Sequence, residues 1–402
     1  MNLIRLAFCA AFAVVAIPPA TAAEPWEMPQ DAAMAIRDPD RFAWQQFIAL
    51  TWPANVEARE ADSGKAHGAE GPVVFETWAT KEQVYLPGGA KPPAWNDLPF
   101  AERTLDGKPV ARLVALFRQV DPVPPGSEAD QHEEVRMNRA VFDYIRDGGI
   151  YSIEGQQRVF YAGGKIDFPP DAIEVKAAWR PIDEADKPRY QWAEMTAPDS
   201  GKTVVYGLTA LHVLSKVLPR WHWATFEHMD NPYRMGIHDE GWLNPSRDSV
   251  ACPRGNLSCN LAPKGIGLEG TRWENYRLRG SQIDYVDAFG NPTILANSQL
   301  ETGMQQTASC MSCHARAAVG PNRNTAASFA DSKAHPPAPP TAMGLGVVKF
   351  MPDGTIQGYV GPPVPGSFLL PGQEPAGTAT YMQLDFVWSL TNARSESAPA
   401  AE

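Results

Sequence analysis

Apolar residues recur at helical intervals from Asp38 to Trp52, behind the acidic, proline-containing start Asp38-Pro39-Asp40, and this predicts an amphipathic helix. A second helix is expected over Glu134 to Arg146, stopped by Gly148-Gly149. From Ile150 to Glu194 the pattern changes. Short runs such as Val159-Phe160-Tyr161 and Ile173 through Trp179 alternate and are cut by Gly and Pro, which reads as strands and turns. Two longer strands follow, Thr203 to Lys216 and Trp221 to His228. Alternation on the second puts His222, Ala224, Phe226 and His228 on one face and Trp221, Trp223, Thr225 and Glu227 on the other. Hairpins are expected for Tyr276 to Asp287 with Pro292 to Ala296, and for Val347 to Tyr359 around Pro352-Asp353-Gly354. Ser298 and Glu301 form a capping box that starts a short helix at about Gln299, and Tyr381 to Arg394 reads as a closing helix. The class is α+β, with an N-terminal mixed domain over 23–296, a small mostly helical domain over 297–394 and a disordered tail over 395–402.

The amino end changes the picture. Arg5, an apolar run from Leu6 to Ile17 and Ala20-Thr21-Ala22 read as a secretory signal peptide over residues 1–22. No later run reaches the roughly 18 apolar residues of a membrane helix. Export to an oxidising compartment, the periplasm, is therefore expected. Losing Arg5 with the leader takes the formal charge from −11 to −12, a surface that repels nucleic acid and anionic lipid and favours a partner with a basic docking patch. Cys9 leaves with the leader, so four cysteines remain. Cys252 and Cys259 read as a disulfide closing a short loop.

The other two cysteines carry the chemistry. Cys310-Met311-Ser312-Cys313-His314 is a C-x-x-C-H run, which in an exported chain reads as the attachment site of one covalent haem c. Two thiols at this spacing add to the two vinyl groups on one porphyrin edge, and the following histidine falls under the iron as its proximal ligand. Chance alone supplies such a run in a chain this poor in Cys and His on the order of once in a thousand. A zinc site would want further Cys or His nearby, and a redox pair a strand-to-helix context of βαβ type. After the motif, Pro321 is the expected carbonyl acceptor for the free His314 N–H.

With this motif, the Gly320-Pro321 that follows and a closing segment carrying Leu384, Phe386, Val387 and Leu390, residues 297–394 resemble a class I cytochrome c domain. The stretch Trp221-His222-Trp223-Ala224-Thr225-Phe226-Glu227-His228 with Asn231-Pro232 is similar to a family of exported bacterial c-type cytochromes. The resemblance implies a monohaem electron-transfer protein working with a redox partner protein. The sequence departs from the pattern on the distal side, where no methionine sits in an unmistakable ligand loop. Met351 is assigned as sixth ligand, with a histidine such as His228, Met343, an open position and Met382 as alternatives. An open position would suit a haem oxidoreductase of oxidase or peroxidase type, with Glu227 and His228 as acid-base groups over the iron.

Overall fold

The computed structural model describes residues 23–100, 132–196, 202–231, 248–253, 261–287, 293–301, 308–315, 317–319, 349–350, 356–357 and 382–396. At its centre lies an antiparallel seven-stranded sheet. Its strands in chain order are β1 (Ala79–Thr80), β2 (His132–Met137), β3 (Ile173–Pro181), β4 (Trp192–Thr196), β5 (Thr203–Ser215), β6 (His222–His228) and β7 (Tyr276–Gln282). In space they run β1-β2-β3-β5-β6-β7, with β4 pairing β5. The fold is α+β, as the mixed periodicities indicate.

All seven residues of β6 are buried, so both faces of the sheet are covered here. The alternation read from the sequence explains how. On one face Phe226 packs against Trp44 and Phe47 of helix α1 (Pro39–Leu50), and His222 meets Phe42 edge-on and bonds the Pro39 carbonyl at 3.0 Å. Helix α1 forms because the Asp38 side chain caps it, accepting from the Arg41 N–H, and Pro39 occupies its first turn. Fully burying side chains such as Trp44, Phe47 and Phe226 contributes roughly 1.5–3 kcal/mol each. The opposite face of β6, with Trp223, Thr225 and Glu227, receives the C-x-x-C-H segment. Cross-strand register extends this face through Ala210, His212 and Leu214 of β5, Glu174, Lys176 and Ala178 of β3, and Gln282 of β7.

Three expected elements differ. Residues 132–137 are a strand rather than the start of a helix, because Arg136 is buried and gives its guanidinium to the Glu134 carboxylate and to the Glu76 and Trp78 carbonyls. The helix, α2 (Arg139–Asp147), begins only after Asn138 caps it. Val159-Phe160-Tyr161 ends helix α3 (Ile153–Tyr161), capped by Ser152, since a three-residue alternation is too short to tell a strand from a helix face. The closing segment is not an α-helix. Met382–Gln383 is a strand, Asp385 and Phe386 take positive φ, and a 3-10 turn follows over Trp388–Asn392. Leu384, Val387 and Leu390 are all fully buried, and their spacing of three is the period of a 3-10 path, not of an α-helix.

Elsewhere, β7 pairs with β6 and Leu295 bridges Ser309 in parallel; residues 288–292, the expected hairpin turn, lie outside the described residues. Lys349–Phe350 pairs antiparallel with Ile356–Gln357, as the second hairpin requires. Met311, Ala315, Ala317, Val319, Met382, Leu384, Val387, Leu390 and Ala393 join the same hydrophobic core as the sheet and α1. No helix among the described residues is long and apolar enough to cross a membrane.

Candidate functional site

The C-x-x-C-H run forms a single helical turn, α4 (Cys310–His314), which puts Cys310 and Cys313 on one side at i and i+3. Neither is in a disulfide, and both are half-buried. Burial pushes the Cys310 thiol well above its ordinary value, helped by the Glu301 charge. The turn is fixed to the sheet by Gln282 of β7, whose side-chain oxygen accepts from the Met311 N–H at 3.1 Å while its amide donates to Ser309 Oγ at 3.0 Å. Cys310 Sγ points at the Leu295 carbonyl, 3.4 Å away.

Residues 295–301 lead into the motif and are pinned to β6. Asn297 Nδ2 donates to Thr225 Oγ1 at 2.9 Å and to the Phe226 carbonyl at 3.0 Å. The Ser298 hydroxyl and N–H both donate to Glu227, and Glu227 pairs with Arg279 at 2.9 Å, both side chains almost completely buried. The expected capping box is shifted by one residue. Glu301 accepts from the Asn297 N–H at 2.7 Å, and the Ser298 hydroxyl is taken by Glu227. Within the described residues 298–300 form a turn, and residues 302–307 lie outside them.

His314 stands on Trp223, ring centroids 4.7 Å apart. Its Nδ1 lies 2.7 Å from the Phe386 carbonyl. A carbonyl only accepts, so Nδ1 carries the proton and the lone pair is left on Nε2, the atom a metal would take. Burial holds the imidazole down at about 4, against the pull of the Phe386 bond, so the ring is neutral. The acceptor expected from sequence, Pro321, lies outside the described residues, and Phe386, far along the chain, fills the role instead.

Phe386 arrives there by a short ladder. Ala318–Val319 pairs antiparallel with Met382–Gln383, and the Leu384 N–H donates to the Ala317 carbonyl at 2.8 Å. The turn that follows has Asp385 at φ 47° and Phe386 at φ 69°, a left-handed backbone that costs non-glycine residues roughly 1–2 kcal/mol each. The carboxylate of Asp385 is held by Lys216 Nζ at 2.6 and 2.7 Å and by the Phe168 N–H at 2.8 Å.

On the same sheet face, His212 pairs with Glu301 at 3.0 Å and Lys176 with Glu133 at 2.7 Å, and the charges of His212, Lys176 and Glu301 act on His314. Trp223, Gln282, His212, Lys216, Asp385 and Phe386 were not singled out by the sequence as site residues. Trp223 carried a signal through its place on the strand face opposite His222 and His228, and Phe386 only as an apolar residue of the closing segment.

The proposed acid-base pair is not brought to His314. His228 lies on the α1 face of β6, stacked on Tyr190 at 3.6 Å, bonded to the Arg189 carbonyl at 3.1 Å and accepting from the Asp230 N–H. Five residues of strand, roughly 16 Å, separate it from Trp223. Glu227 is on the motif face but committed to Arg279 and Ser298. Met382 is buried in the ladder beside Val319. Met343 and Met351 lie outside the described residues, as does Cys259, the expected partner of Cys252. No group of three or more His, Cys, Asp or Glu side chains among the described residues is arranged to hold a metal ion, so no zinc-type ligand set accompanies the motif there. No family model, characterised protein or solved structure matches the chain.

Proposed function

We propose that this chain is an exported, periplasmic c-type cytochrome, with one haem joined through Cys310 and Cys313, His314 as its proximal iron ligand, and electron transfer to a redox partner as its activity. The observation that carries the reading is the protonation state and aim of His314: Nδ1–H is given to a fixed carbonyl, and Nε2 has no hydrogen bond among the described residues. A histidine so held presents a neutral, correctly oriented donor, and two thiols on one side of the preceding turn are spaced for a porphyrin edge. When bound, the haem supplies a one-electron iron couple. The chain's own part is to fix the imidazole plane with Trp223, raise its basicity through Phe386 and keep the attachment turn rigid through Gln282.

The class I domain over 297–394, the leader over 1–22, the Cys252–Cys259 disulfide and Met351 as sixth ligand belong to the same proposal. The enzyme reading lacks a supporting observation, because Glu227 and His228 are engaged elsewhere. The formal charge of the full chain, −11, becomes −12 once the proposed leader with Arg5 is lost, and favours a partner with a basic docking surface.

The test is the absorption spectrum of the purified protein, oxidised and reduced, with and without carbon monoxide. A low-spin reduced spectrum that resists carbon monoxide supports the carrier. Rapid carbon monoxide binding with peroxide-dependent turnover overturns it in favour of an oxidoreductase.

A further inference from the structure

Two of the four non-glycine residues with positive φ among the described residues, Trp221 and Asp385, contact one side chain, Lys216, and a third, Phe386, directly follows Asp385. Lys216 follows the end of β5 and is 6% exposed. Its ammonium reaches both oxygens of Asp385 at 2.6 and 2.7 Å, the Pro219 carbonyl at 3.1 Å and Asp167 at 3.2 Å. Asp385 is 8% exposed and accepts in addition from the Phe168 N–H. A buried ion pair with its remaining hydrogen bonds satisfied is a poor device for stability alone but a good one for fixing a conformation. The conformation fixed here is unfavourable by itself. Two consecutive left-handed residues persist only where the surroundings hold them, and their consequence is that the next carbonyl, that of Phe386, faces His314 Nδ1 at 2.7 Å.

We propose that the Lys216–Asp385 pair is a positioning device for His314: it holds the 384–387 turn in the backbone that aims the Phe386 carbonyl at the imidazole, and so sets the ring's orientation and basicity. The inference rests on the reading of His314 as the iron ligand. Strengthening the Nδ1–H bond makes the imidazole a better donor and favours oxidised iron; releasing the turn weakens the bond and favours reduced iron.

The experiment uses the haem-loaded protein and the variants Lys216→Met, Asp385→Asn and the double variant. Asparagine tolerates the left-handed region and keeps an acceptor for Phe168, so Asp385→Asn is the milder change. Midpoint potential and the spread of the haem methyl resonances in the oxidised protein, which follows the imidazole plane, are read together. The positioning role predicts that both single variants move the potential in the positive direction and alter the methyl pattern, and that the double variant moves it no further than either single. A direct charge effect predicts opposite signs, since losing a cation favours oxidised iron and losing an anion favours reduced iron. Opposite signs, additive shifts, or an unchanged potential and methyl pattern in the folded variants overturn the proposal.

If the purified protein carries no haem, the reading of the motif fails separately. The clamp is then judged by nitrogen NMR of the His314 ring. A single Nδ1–H tautomer in the wild type that becomes mixed in Asp385→Asn supports it, and the same tautomer in both overturns it.

Discussion

Glu174 offers a quantitative test of how the closing segment is fastened to the sheet. It lies on β3 between Met137 and Leu214, is 5% exposed, and accepts from the Ser389 hydroxyl at 2.6 Å, three residues beyond Phe386. Burial pushes its carboxyl up from 4.5 to about 7, with the Ser389 bond pulling the other way. The folded state therefore holds a proton that the unfolded chain releases. Stability from this group is fully present below about 4.5, declines as pH rises, and is lost once pH passes about 7. At roughly 1.4 kcal/mol per pH unit, the gap between the two states amounts to about 3 kcal/mol. Glu174→Gln keeps an acceptor for Ser389 and cannot ionise, so it removes this dependence. Urea unfolding of both proteins at a series of pH values from 4 to 8, followed by far-ultraviolet ellipticity and tryptophan fluorescence, gives the comparison. The variant should gain on the wild type by up to about 3 kcal/mol across that range, nearly all of it between the two pKa values. A difference that stays constant with pH to within about 0.5 kcal/mol would refute the reasoning, because it would mean that the carboxyl is not protonated in the fold.

Trp223→Ala should lower the unfolding free energy by roughly 3–5 kcal/mol, since the ring is 2% exposed and touches both His314 and Phe386; urea titration reads it. His228→Ala should destabilise the protein while leaving its visible absorption spectrum unchanged, and a spectral change would return His228 to the list of ligands. Gly155→Ala should cost at least about 1–3 kcal/mol by thermal melting, because the added Cβ would lie 1.6 Å from the Gly149 carbonyl oxygen, a backbone atom that cannot swing aside.

Periodicity alone was enough for α1 and for β5 and β6, because each is long and carries a clean repeat. It also assigned the two faces of β6 correctly. The alternation does not say which face meets which layer. His228 is a candidate ligand from sequence, yet the face it shares with His222 packs on α1 and other aromatic residues, and the opposite, tryptophan-bearing face meets the motif. The strand at 132–137 was hidden because its charged residues, Glu134 and Arg136, satisfy one another inside the fold, a tertiary arrangement that local propensity cannot show. The closing segment was misread for a related reason. Its apolar spacing suits a helix loosely, and the left-handed pair at Asp385 and Phe386 depends on Lys216, more than a hundred residues earlier. Of the proposed site, Cys310, Cys313 and His314 are candidates on local spacing alone, through the C-x-x-C-H run. Phe386, Gln282 and Trp223 come from distant strands and turns, and only the folded chain brings them to the motif.

On the proposed function, Cys310 and Cys313 carry a covalent haem. Intact-mass spectrometry of the denatured mature protein, produced in a host with a working c-type haem ligation system, tests it most directly. The expected mass is that of the chain plus one haem, with the haem-bearing fraction reduced or lost in Cys310→Ala or Cys313→Ala. A mature chain at its bare polypeptide mass, with both thiols open to alkylation, would contradict it.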